Sequence, residues 1–110
     1  MQTIPINVIP EGVDYAVNAS QFDKDRVFRG ELKEGMNTYT LDGTEALRIR
    51  YERPDNKVGS FAVNNTGSSY LDITIPQDAT EKAGLVYCKL HINEIACKAF
   101  YIIVENKPEV

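Results

Sequence analysis

Apolar and polar residues alternate with a period of two along much of this chain. Residues 47–53 alternate apolar and charged side chains, and residues 70–75 alternate apolar and polar ones. Because successive side chains of a strand point to opposite faces, each segment has one buried and one solvated face. This pattern is typical of antiparallel sheets that share one core.

The same reasoning predicts further strands and places turns between them. Seven more strands are predicted, at residues 3–9, 15–19, 27–32, 38–41, 59–63, 85–92 and 96–105. Turn residues occupy the connections, at Glu34-Gly35, Asp42-Gly43, Pro54-Asp55-Asn56 and Asn64-Asn65-Thr66-Gly67. Residues 76–84 begin with Pro and end with Gly, which predicts one or two helical turns with Gly84 in a left-handed conformation. Eight or nine short strands at this spacing predict an antiparallel β-sandwich with one short helical turn.

Length and charge limit the possible classes of protein. A chain of 110 residues is long enough for one domain without a disulfide or metal, and we assign residues 1–105 to it and residues 106–110 to the start of a linker or tail. A net charge of −4 without clustered Lys or Arg predicts no nucleic-acid partner. No run approaches the ~20 apolar residues of a membrane span, and no secretory signal opens the sequence, so we expect cytoplasmic synthesis and no membrane partner.

The last predicted hairpin holds both cysteines and the single histidine. Its first strand turns Cys88 inward with the apolar residues 86, 90 and 92, and turns His91 outward. A three-residue loop, 93–95, would bring the inward residues 100, 102 and 104 against that face and turn Cys97 away from Cys88. A two-residue loop, 93–94, would place both sulfurs on one face, but only diagonally. Both registers disfavour a disulfide and predict buried free thiols.

Candidate chemistry is sparse. Cys88 and His91 lie three apart on a strand and therefore face opposite ways, which favours two packed thiols and a surface histidine over a thiol–imidazole dyad. Three candidate ligands without a close Cys or His pair do not make a structural zinc site. Asp23-Lys24-Asp25 lacks the spacing of a calcium loop and is interpreted as a solvated loop, and Asp42-Gly43 as turn chemistry. The sequence predicts no enzyme, no catalytic, metal-binding or cofactor-binding residue, and no cofactor.

Tyrosines are the remaining candidates for binding. Six are present, and Tyr70, Tyr87 and Tyr101 are predicted to face outward. Such residues suit a protein interface, and a sugar-binding platform is the alternative. The interface residues themselves cannot be assigned from the sequence.

The ordered set of segments resembles the N-terminal domain of bacteriophage baseplate upper proteins, from phages of Gram-positive bacteria. The resemblance covers nearly the whole chain. The segments that carry it, after an N-terminal strand, are residues 21–23, 27–32, 39–43, 47–51, 53–56, 71–76, 83–87 and 100–105. Asn56 stands where the family usually has Gly, and Asn tolerates the same backbone geometry.

The resemblance implies an immunoglobulin-like sandwich without catalytic activity. It implies a structural part of the tail baseplate in the virion, which links tail-tip proteins to the receptor-binding apparatus. The expected partners are other baseplate or tail proteins, with a homo-trimer in the full-length protein. The alternative function is a carbohydrate-binding module that recognises cell-wall polysaccharide of the host.

Overall fold

The computed structural model describes residues 2–10, 12–23 and 26–106, and strands are its main secondary structure. One 3-10 turn spans Gln77–Thr80. The strands are β1 (Thr3–Asn7), β2 (Tyr15–Ser20), β3 (Arg26–Glu34), β4 (Asn37–Thr38), β5 (Leu47–Glu52), β6 (Val58–Ala62), β7 (Tyr70–Ile75), β8 (Gly84–Ile92), β9 (Ile95–Ala96) and β10 (Phe100–Glu105). The predicted all-β class with one short helical turn is confirmed.

The strands form two sheets that pack face to face. In the small sheet, β3 lies between β1 and β7, and β4 pairs with the last residues of β3. In the large sheet the order is β2-β10-β8-β5-β6, and β9 pairs with the end of β8. Phe28 from the small sheet contacts Phe100 from the large sheet edge to face, with ring centroids 5.6 Å apart. The predicted sandwich has these two layers.

Alternation decides which side chains enter the core. In β5 the residues Leu47, Ile49 and Tyr51 are buried, and the residue that follows each of them is exposed. In β7 the same rule buries Leu71, Ile73 and Ile75. Burial of a large apolar side chain contributes about 1.5–3 kcal/mol, so these two strands alone hold much of the core.

The sheets are mixed, whereas the alternation predicted antiparallel pairing throughout. β1 runs parallel to β3, and β2 runs parallel to β10. The other pairs between strands are antiparallel. Alternation reports which face of a strand is buried and carries no information about the direction of its neighbour, so the sequence pattern could not distinguish the two cases.

The closing hairpin combines both registers that the sequence left open. Ile92 pairs with Ile95 across a two-residue loop, and Asn93 and Glu94 both have positive φ, at 49° and 71°. This backbone is typical of a type I′ turn. One extra residue between β9 and β10 then shifts the pairing so that Phe100 lies opposite Cys88. This bulge buries Cys97 and the inward residues of β10 together, and it divides the predicted strand 96–105 in two.

The predicted turns lie between strands, and several use positive φ. Gly35, Gly43 and Gly67 have φ of 63°, 94° and 69°. Asn56 has φ of 68°, a left-handed conformation that Asn tolerates. Gly84 has φ of 127°, and a Cβ there would meet the ring of Pro54 at 2.9 Å. No helix within the described residues is long and apolar enough to cross a membrane.

Candidate functional site

The two thiols and the histidine do not meet in a reactive cluster. Cys88 and Cys97 are buried and free, and burial raises the pKa of Cys88 to about 12 and that of Cys97 to about 11. Both are therefore neutral near pH 7 and serve as small apolar core residues. His91 lies on the opposite face of β8, across from Arg48 of β5. The predicted separation of Cys88 from His91 is confirmed.

The acidic segments are part of the turns. Lys24 and Asp25 lie outside the described residues. Asp23 accepts a hydrogen bond from the backbone N–H of Ser20 at 2.9 Å and closes that turn. At the Asp42 turn, Thr44 donates to the Asp42 carboxylate from its backbone N–H at 2.8 Å and from its hydroxyl, which lowers the pKa of Asp42. Among the residues described, no three His, Cys, Asp or Glu side chains are grouped to hold a metal ion.

Arg53 is a buried charged residue that sequence reasoning missed. Its guanidinium holds Asp55 with two hydrogen bonds of 3.0 and 2.7 Å and donates to the backbone carbonyl of Asp78 at 3.1 Å. The carboxylates of Asp78 and Glu81 lie 3.4 Å away. Tyr51 donates from its hydroxyl to Asp78, and burial with this bond raises the pKa of Tyr51. The cluster fixes the 3-10 turn to the end of β5.

The alternation of inward and outward side chains along β5 indicates that Arg53 is buried. Arg53 continues the inward series of Leu47, Ile49 and Tyr51, so the alternation itself turns its side chain toward the core. What the pattern does not contain is the source of the compensating carboxylates, since Asp78 and Glu81 follow some 25 residues later. The cluster is structural, because a planar guanidinium with its donors satisfied by protein oxygens leaves little free capacity for a ligand.

The predicted outward tyrosines do not form one platform. Tyr70 lies on the outer face of the small sheet, 5.5 Å below the guanidinium of Arg29. Tyr87 and Tyr101 lie opposite each other on β8 and β10, on the outer face of the large sheet. Their rings meet edge to face, with centroids 5.5 Å apart and planes at 65°. This arrangement suits an anchor in an interface better than a flat surface for stacking a sugar.

Basic side chains continue the same outer face beside the tyrosines. Arg50 lies directly opposite Lys89 on β8, and Arg48 lies opposite His91. Arg48 donates to the hydroxyl of Ser60 at 3.0 Å. We call the residues Arg48, Arg50, Tyr87, Lys89 and Tyr101 the basic–tyrosine face. Part of it borders an open depression of ≈ 660 Å³, which reaches β6 at Val58 and Ser60.

The outer faces of the two sheets differ in whether their basic side chains form ion pairs. On the small sheet, Arg29 pairs with Asp72 at 2.9 Å and Lys33 with Glu31 at 2.6 Å. On the large sheet, within the described part of the chain, no carboxylate oxygen lies within 4.0 Å of the charged nitrogens of Arg48, Arg50 or Lys89. On the basic–tyrosine face, cations therefore lie beside exposed aromatic rings without forming an ion pair to a carboxylate of the described chain.

Comparison with known proteins assigns the fold. No family model matches the sequence. No curated protein matches it either. Among solved structures, the chain is similar to the N-terminal domain of phage TP901-1 ORF48, with a TM-score of 0.70 and 12% sequence identity. The match covers 96% of this chain and 99% of that one. At this identity the likeness establishes a shared fold over nearly the whole length of both chains.

Proposed function

We propose that this chain is a non-catalytic structural module of a phage tail baseplate, which docks onto neighbouring tail or baseplate proteins. The observation that carries the proposal is the fold match, because the neighbour is a domain of a phage baseplate protein and the match spans nearly all of both chains. A shared fold does not by itself transfer function. The sequence resemblance to baseplate upper proteins supports the same assignment independently of the structural comparison.

The arrangement of side chains is compatible with docking and offers little to catalysis. The thiols are buried and neutral, and the Arg53 cluster is internally satisfied. The exposed chemistry is a face of cations and tyrosines, residue types that anchor protein interfaces. Linkage of tail-tip proteins to the receptor-binding apparatus, with self-association as a trimer, is the role we expect in the assembled virion.

Analysis of phage particles tests the proposal directly. Particles induced from the source strain are purified and analysed by mass spectrometry, and an antibody to this domain locates the protein by immunogold microscopy. We expect gold label at the tail tip and tens of copies in each particle. Absence of the protein from intact particles contradicts the proposal.

A carbohydrate-binding role is the second candidate, and the open depression beside Tyr87 is the observation that favours it. Titration with wall polysaccharide from the host separates the two functions. A sugar-binding module responds by a change in tyrosine fluorescence and stays monomeric. A baseplate module gives no response to the polysaccharide and associates with virion proteins.

A further inference from the structure

The charge arrangement on the large sheet is unfavourable for folding alone. Arg50 and Lys89 are directly opposite each other on β5 and β8, and like charges at such positions destabilise a sheet. Arg48 extends the same row of β5, so three cations lie on adjacent strands. Since none of the three cations forms an ion pair with a carboxylate of the described chain, the fold gains nothing evident from this cluster. A cost of this kind is expected where the charges serve a partner.

The cluster is positively charged, whereas the molecule as a whole is negatively charged. Three of the chain's 12 basic side chains are concentrated here, together with one of its 16 acidic side chains, Glu52, which lies opposite Tyr87 on the same outer face. The other residues therefore hold 9 basic and 15 acidic side chains, a formal charge of −6. A basic surface on an otherwise acidic molecule orients an approaching partner, because its potential is opposite to that of the remaining surface.

Exposed apolar area adjoins the cations. Tyr87 is 39% exposed and forms its edge-to-face pair with Tyr101, and Lys89 lies 5.9 Å from the centroid of the Tyr87 ring. On the same face Leu85 is 58% exposed and Ile103 is 37% exposed, and these two residues are paired across β8 and β10. Protein interfaces commonly have a centre of aromatic and aliphatic side chains with charged side chains around it, and this face has the same composition.

We propose that the basic–tyrosine face is the docking surface of this module and that its partner is an acidic protein surface on another virion protein. The guanidinium groups of Arg48 and Arg50 and the ammonium of Lys89 bind carboxylates of that surface. Tyr87 and Tyr101 pack against its apolar side chains. This inference rests on the proposed function and adds the face and the charge of the partner.

The same observations favour an acidic protein as the partner over a nucleic acid or an anionic wall polysaccharide. A nucleic acid presents a high density of negative charge, which the net charge of −4 repels everywhere except on this face. A wall polysaccharide is bound best by ring faces that lie flat and exposed, whereas Tyr87 and Tyr101 meet at 65°. The aliphatic side chains of Leu85 and Ile103 extend the face toward the apolar contacts that a protein provides.

Charge reversal on the intact phage tests the proposal. The variant carries Arg50→Glu with Lys89→Glu, and the matched control carries Arg26→Glu with Lys82→Glu, two exposed residues outside the face. Both double substitutions change the formal charge by the same amount. The Arg50–Lys89 position remains a like-charged pair after reversal, so we expect circular dichroism and thermal melting of the purified protein to stay close to those of the parent.

The readout is the number of copies of this protein in each purified particle. We expect the control to assemble like the parent and the face variant to fall at least about tenfold, because two repulsive contacts replace two attractive ones. Equal incorporation of parent, control and face variant would overturn the docking surface and leave the proposed function intact. Absence of the parent protein from particles would overturn the proposed function, and this inference with it.

Two further measurements address the nature of the partner. Selection for restored plaque formation by the face variant should yield changes from Asp or Glu to Lys or Arg in another virion protein, which supports an acidic protein surface and identifies it. Purified anionic wall polymer of the host serves as the competing probe. Binding of that polymer by the parent and not by the face variant would overturn the assignment of a protein partner.

Discussion

At the scale of the residue, the Arg53 cluster holds the charge most important for the fold. Arg53 is 4% exposed, yet its carboxylate partners Asp55, Asp78 and Glu81 are all partly open to solvent. The guanidinium is therefore taken out of water while the neutralising charges stay at the border. Removal of one partner leaves a buried charge incompletely neutralised, and such a change costs more than the pair itself contributes.

Asp55 makes the stability of this cluster depend on pH. The hydrogen bonds from Arg53 hold the pKa of Asp55 below its ordinary value of 3.8. A carboxylate with a lowered pKa in the folded state stabilises the protein fully above 3.8, and this contribution is lost as the pH falls through the lower folded value. We expect Asp55→Asn to lower the urea midpoint clearly at pH 7 and much less in strong acid.

Asp14→Asn is the control for that series. The Asp14 carboxylate is half exposed and lies 3.0 Å from Lys98, so its loss should have little effect at either pH. Arg53→Met should remove the same acid sensitivity as Asp55→Asn, because the lowered pKa of Asp55 depends on the guanidinium. A constant difference between the parent and Asp55→Asn across the acid range would contradict this assignment.

The buried thiols permit a chemical test of the core. With pKa values of about 12 and about 11, Cys88 and Cys97 present almost no thiolate at pH 8, and both are closed to reagents. We expect Ellman's reagent to detect no thiol in the native protein and both thiols in guanidinium chloride. Cys88→Ala is the control and should leave one thiol after unfolding. Rapid reaction of the folded parent would mean that this part of the core opens.

At the scale of the element, alternation predicted burial well and pairing poorly. Of the predicted strand 38–41 only Thr38 lies in a ladder, as the second residue of β4, although Leu41 is 1% exposed and therefore buried. Leu41 is apolar because it enters the core, and a buried residue outside a strand gives the same local signal as one within it. The outward Tyr87 and Tyr101 were predictable for the same reason, because burial of one face fixes the other.

Features that depend on contacts distant in sequence were not predictable from the pattern. The basic–tyrosine face needs Arg50 opposite Lys89, and that juxtaposition follows from the pairing of β5 with β8. No local signal in either strand reports the register between them. The bulge between β9 and β10 is a further case, because two candidate loop lengths each satisfied part of the hairpin pattern.

Proline substitutions in the edge strand β6 test the hydrogen-bond register between β5 and β6. The backbone N–H of Arg53 donates to the carbonyl of Lys57 at 2.8 Å, and the backbone N–H of Val63 donates to the carbonyl of Leu47 at 3.3 Å. Since hydrogen-bonded positions alternate, the N–H of Phe61 points toward β5 and that of Ser60 points away. We expect Ser60→Pro to be within about 1 kcal/mol of Ser60→Ala in unfolding free energy.

Phe61→Pro provides the opposite case on the same strand. Its free energy of unfolding should fall by about 1–3 kcal/mol more than that of Phe61→Ala, because a ladder hydrogen bond is lost in addition to the ring. Both alanine variants separate the loss of the side chain from the loss of the N–H. Equal penalties for the two prolines, measured by urea unfolding against their alanine partners, would contradict the register.

At the scale of the whole molecule, the two ends of the described chain complete the sandwich. β1 forms an edge of the small sheet, with Ile4 and Ile6 buried. β10 lies inside the large sheet between β2 and β8, so a strand from the end of the sequence joins segments separated by more than sixty residues. The sheet that bears the basic–tyrosine face is therefore complete only when β10 joins β2 to β8.

Truncation tests this dependence together with the predicted domain limit at residue 105. Phe100, Ile102 and Val104 are each at most 3% exposed, and their burial contributes about 5–9 kcal/mol, comparable to the about 5–15 kcal/mol that stabilises a whole domain. We expect a chain that ends at Ala99 to show no cooperative melting. A chain that ends at Asn106 should melt like the parent, since it keeps all ten strands of the described residues. Cooperative melting of the shorter chain would mean that β2 and β8 can close the large sheet without β10.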